Sequence, residues 1–73
     1  MSTTVTNAIA ANLAALVLSL GRARETALHA ADANCTGNRN LAIGTLLDLE
    51  QLLPRAEALI GAIMALHRDN SCD

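Results

Sequence analysis

The spacing of apolar residues constrains this chain more than any other feature. In the first half, Ile9, Leu13, Leu16, Leu20, Ala23, Ala27 and Ala30 follow one another at alternating intervals of four and three. That is the repeat of a helix packed along its whole length against another helix. In the second half the same rhythm returns at Ala42, Leu46, Leu49, Leu53, Ala56, Ile60, Ile63 and His67. Between them "DANCTGNRN", Asp32 to Asn40, breaks the pattern. Asn34 and Gly37 tolerate the left-handed conformation that ends a helix, and Asn38 or Asn40 can cap the next one. Thr4 or Thr6 can cap the first. A turn this short sends the second helix back antiparallel to the first.

The pattern predicts an all-α fold: an antiparallel helical hairpin with helices over about 5–33 and 40–68, forming a single domain over 1–73 with short disordered termini. Pro54 lies inside the second helix. The apolar phase runs unbroken across it and Leu53, not a capping residue, precedes it. One helix kinked at Pro54 is therefore expected, since proline removes the bond to the carbonyl of Glu50. Composition agrees with helices. Apolar residues make up 52% of the chain, yet it has no Phe, Tyr or Trp, so its core must come from Ala, Leu, Ile, Val and Met.

A lone hairpin of this size buries too little to be stable, and small chains usually depend on a disulfide, a metal or a partner subunit. The second helix carries the surface for a partner. Beside its main row stands another, Leu52, Leu59 and Leu66, with a smaller counterpart in Val17 and Leu28 on the first helix. An apolar face this wide suits a helix that touches two neighbours. The expected assembly is a homodimer, or a higher oligomer, in which two hairpins make a four-helix bundle. Its interface is expected at Leu52, Leu59, Leu66, Ile60, Ile63 and Val17. An antiparallel pairing of hairpins would bring Cys35 of one chain to Cys72 of the other, a bond that one hairpin cannot close because about a helix length separates the two, whereas a parallel pairing would bring Cys35 to Cys35.

No chemistry stands out. Glu25, His29 and Asp32 can share a helix face, but they read as a solvated surface and lack the Glu-x-x-His pattern of di-iron bundles. His67, near the end of the second helix, suits the helix dipole. Neither cysteine has a His or Lys neighbour that would activate it. No catalytic residue, cofactor or metal ligand is expected, and the chain reads as a non-enzyme.

Net charge is −2, with five Arg and no Lys. That balance ranks nucleic acid below protein as a partner. The densely apolar run from Ala8 to Leu20 falls short of the roughly 20 residues that span a bilayer, so a cytoplasmic location is expected. The leading reading is a small protein-interaction or regulatory module: a homodimeric adaptor, co-chaperone or inhibitor. Leu18, Ile43, Leu47, Arg22 and Arg24 are its candidate contacts with another protein. The hairpin pattern resembles that of the small plasmid-copy-control proteins, whose hairpins dimerise into four-helix bundles and bind RNA; the resemblance is one of fold pattern, carried by no motif. The alternative reading, from the arginines, is an RNA- or DNA-binding regulator of the dimeric helical-hairpin type using Arg22, Arg24 and Arg39.

Overall fold

The computed structural model describes residues 3–69. The expected disordered termini and Cys72 lie outside the described residues. Three helices follow in order: α1, Thr3–Cys35; α2, Arg39–Leu46; and α3, Leu49–Asp69. α1 packs against both others, and α2 and α3 together form the returning leg of one hairpin. The hairpin is thus two long helices, the second of them bent. α1 already begins at Thr3, ahead of the start expected from Thr4 or Thr6.

The turn is built by two residues. Gly37 takes a φ of 85°, and its N–H donates to the Asn34 carbonyl at 3.1 Å while the Asn38 N–H donates to Ala33 at 2.8 Å. This pair of bonds is the glycine-ended stop that satisfies the last carbonyls of a helix. Asn38 then starts α2: its side-chain oxygen accepts from the Leu41 N–H at 3.1 Å, and its carbonyl accepts from Ala42 at 3.1 Å. One asparagine thus closes one helix and opens the next.

The break in the helical bonding does not fall at Pro54. It falls at Leu47–Asp48, where the Leu47 N–H donates to Gly44 and Asp48 to Thr45, each three residues back. The same short pattern recurs at Glu50 and Gln51, and four-residue bonding resumes with Leu52 donating to Asp48 at 3.1 Å. Pro54 sits within regular α3. The physical reason lies in the preceding turns. Pro54 frees only the Glu50 carbonyl, close to the start of α3, where few bonds exist to be lost. Gly44, Thr45 and Asp48 are weak helix formers, so the backbone yields there instead.

The helix contact keeps half of the predicted stripe, Ala23 and Ala30 on α1 and Ala42, Leu49, Ala56 and Ile63 on the return leg, but is rotated so that Leu13, Leu20, Leu53 and Ile60 fall outside it. The less exposed residues of α1 are mainly Val5, Ala8, Asn12, Ala15, Ser19, Ala23, Thr26, Ala30 and Ala33, with Ile9 and Leu16 at its margin. Nearly all are small, which lets the helices approach closely. Asn12 satisfies itself within the seam by donating to the Ala8 carbonyl at 2.9 Å. The matching row on the return leg is Ala42, Thr45, Leu49, Leu52, Ala56, Leu59, Ile63 and Leu66, an unbroken three-four alternation across the bend. Large residues of α3 therefore lie against small residues of α1. The buried hydrophobic set among the described residues is only Ala30, Ala33, Ala42 and Ala56, each still 5–8% exposed.

A candidate interaction face on the hairpin

The seam determines where every other side chain goes. Successive helix residues are about 100° apart, so the residue after each seam residue lies on one flank and the residue before it on the other. Two antiparallel helices viewed from one end wind in opposite senses. The following residues of both helices therefore share one face of the hairpin, and the preceding residues share the other.

The first of these faces is apolar. On α1 it carries Ile9, Leu13, Leu16, Leu20, Arg24, Ala27 and Ala31; on the return leg Ile43, Leu46, Leu53, Ile60, Met64 and His67, with Glu50 and Glu57 at its rim. Leu13, Leu20, Leu46, Leu53, Ile60 and Met64 are all between 40% and 49% exposed. Val17, at 69%, points away from the seam and stands at the edge of the groove on the other face.

The second face is mixed. Val17, Leu18, Arg22, Glu25 and His29 of α1 face Gln51, Leu52 and Arg55 of α3, with Asp48 at the bend, across an open groove of about 780 Å³. Two cations, two carboxylates and an imidazole line it. Among the described residues, no three of the His, Cys, Asp and Glu side chains gather closely enough to hold a metal ion.

These positions redistribute the residues singled out in the sequence. Leu52, Leu59, Leu66 and Ile63, expected against a second chain, are half-buried along the seam inside the hairpin. The sequence shows two rows one residue apart, and periodicity alone does not say which row faces α1 and which faces outward. Val17 and Ile60 are exposed. Leu18 at 67%, and Ile43 and Leu47 at 56% each, are also exposed. Arg22 and Arg24 diverge: two residues apart on a helix, they project onto opposite faces, Arg22 into the groove and Arg24 onto the apolar face. Arg24 approaches Glu25 at 4.0 Å, with both side chains largely in solvent. Arg39 is exposed in the first turn of α2. The three arginines therefore form no single patch. Cys35 is a free, exposed thiol at the end of α1.

α1 has a further property that the run Ala8 to Leu20 understates. The helix extends 33 residues and holds a window long and apolar enough to cross a membrane, none of whose residues is more than partly buried in the hairpin. Its uncharged portion runs from Thr3 to Gly21, roughly 28 Å at 1.5 Å per residue. The shorter expectation counted only the densest apolar run and left out the uncharged polar residues that the helix includes.

The chain's similarities add no functional assignment: no family model matches it, and no curated protein or solved structure matches it.

Proposed function

We propose that this chain is a non-enzymatic protein-interaction module whose first partner is a second copy of itself. Two hairpins close their apolar faces on each other to form a four-helix bundle. The observation that carries this reading is the amount of surface left uncovered. The accessible area is 5322 Å², whereas a compact monomer of 7.6 kDa would expose about 4,300 Å². The radius of gyration is 16.7 Å, against about 11 Å for a globular chain of this length. About 1,000 Å² per copy, or about 2,000 Å² over two copies, is available to be covered, the upper end of the roughly 1,200–2,000 Å² of a standard-sized interface.

In this reading Ile60 belongs to the interface, joined by Leu13, Leu20, Leu53, Met64 and, near the turn, Ile43. The groove on the opposite face, with Val17, Leu18 and Arg22, remains available to a different protein, as does Leu47. The adaptor, co-chaperone and inhibitor roles all fit such a surface, and a cytoplasmic location fits a bundle whose apolar faces cover each other. Sedimentation equilibrium tests the reading. A species of twice the chain mass at micromolar concentration is expected, and a monomer throughout would refute it. The nucleic-acid alternative is separated by titrating salt against binding to bulk RNA or DNA, because affinity that rests on phosphate contacts falls steeply with salt.

A second reading is favoured by the length and apolarity of α1, which could enter a bilayer. It leaves the exposed Leu53, Ile60 and Met64 of α3 unexplained, and it would strip α1 from the seam that holds the hairpin. Flotation of the chain with phosphatidylcholine vesicles tests it.

A further inference from the structure

Resting on the dimeric reading, we infer that the two hairpins associate with their turns at the same end, α1 of each lying over α3 of the other, so that Arg24 meets the Glu50 of the second copy. Three observations lead there.

The first is the composition of the apolar face, which carries one cation, Arg24, on α1 and two carboxylates, Glu50 and Glu57, on α3. All three lie toward the outer rim, away from the seam. Arg24 and Glu50 of one chain sit on opposite edges of the hairpin and cannot reach each other. A partner can bring them together.

The second is register. Ala33 and Ala42 pack together with Ala30 in the small core beside the turn, so residues whose numbers sum to about 75 stand at the same height along the hairpin. Arg24 is then level with position 51, one residue from Glu50. Glu57 is level with position 18.

The third is what each two-fold arrangement does with these charges. A two-fold axis along the hairpin keeps the heights and places α1 over the partner's α3. Arg24 then falls beside Glu50 of the second copy on the same rim, and the contact forms twice. A two-fold axis across the hairpin instead places α1 over α1 and α3 over α3, turn to terminus. Arg24 would then face the level of Val17 and Leu13, and the two copies of Glu57 would stand about 6 Å apart in height at 1.5 Å per residue. Like charges in that position oppose association, and opposite charges fix register. The turns-together arrangement replaces the turn-to-terminus packing in which Cys35 would reach Cys72.

Cys35 reports the difference. With neighbouring axes about 8–10 Å apart, the diagonal α1 helices lie about 14 Å apart, and nitroxides on the two Cys35 thiols fall within about 30 Å. Turn to terminus, the thiols are separated by about 30 helical positions, or about 45 Å. The experiment is electron–electron double resonance on the full chain carrying Cys72→Ser and a spin label at Cys35, with the oligomeric state measured on the same sample. Charge reversal accompanies it. Arg24→Glu or Glu50→Arg alone is expected to weaken the dimer about fivefold to thirtyfold, and the double variant to restore it. A dimer with the short distance and the charge rescue supports the arrangement. A dimer with Cys35 labels near 45 Å, or with no rescue, overturns the arrangement and leaves the dimeric reading standing. A monomer in buffer overturns both. A monomer that also partitions into phosphatidylcholine vesicles assigns the face to lipid.

Discussion

Replacing Leu53 and Ile60 together by glutamine separates a partnered face from a merely exposed one. Leu53 is 49% and Ile60 47% exposed in the hairpin. Fully burying such a side chain is worth about 1.5–3 kcal/mol, so roughly half, about 1 kcal/mol, remains for a partner to gain at each position. A dimer contains four of these side chains. Their loss should cost about 4 kcal/mol of association, or close to a thousandfold in dissociation constant. Glutamine is a good helix former, so the hairpin itself should be little affected. The assay is sedimentation velocity over a range of chain concentrations, with circular dichroism confirming retained helix. Leu18→Gln is the control: Leu18 is 67% exposed but lines the groove on the opposite face, and its replacement should leave association within about twofold, as for surface changes of ±0.5 kcal/mol. Equal association of the double variant and the parent would refute the assignment of the face.

Three further substitutions test the fold. Gly37→Ala should lower stability by about 1–2 kcal/mol in thermal or denaturant unfolding, because its φ of 85° is costly for a residue with a Cβ; Gly37→Asn should cost less. Gly61→Ala should raise stability by up to about 1 kcal/mol, since a Cβ there meets nothing within 4 Å and alanine is the better helix former; a loss would mean that something packs on Gly61. Ala33→Leu, at a position only 8% exposed in the seam, should destabilise by about 1–3 kcal/mol through overpacking, and a neutral result would contradict the close approach of the helices.

The helical hairpin was legible in the sequence because periodicity, turn chemistry and the absence of aromatics all point to it. The ends of both legs lie within two residues of the expected ones. The position of the bend was not legible, because Pro54 is the loudest local signal and the weaker helix formers Gly44, Thr45 and Asp48 precede it. Nor was the face. Two apolar rows lie one residue apart on each helix, and both satisfy the four-three spacing. What separates them is size: α1 offers its small row, Ala8, Asn12, Ala15, Ser19 and Ala23, to the leucines of α3 and leaves Leu13, Val17 and Leu20 outside. Comparing residue volumes between rows, rather than counting apolar positions, would have exposed this. The same step separates Arg22 from Arg24, which are neighbours in sequence and opposites on the helix.

Thermal unfolding across a hundredfold range of chain concentration tests most directly whether association is part of the fold. If the folded species is a dimer, that range adds about RT ln 100, or 2.7 kcal/mol, to its stability. For an assembly of two 73-residue chains the melting temperature should rise by roughly 5–10 °C. A midpoint that stays fixed over the whole range would show that the hairpin stands alone and that its apolar face waits for something other than a second copy.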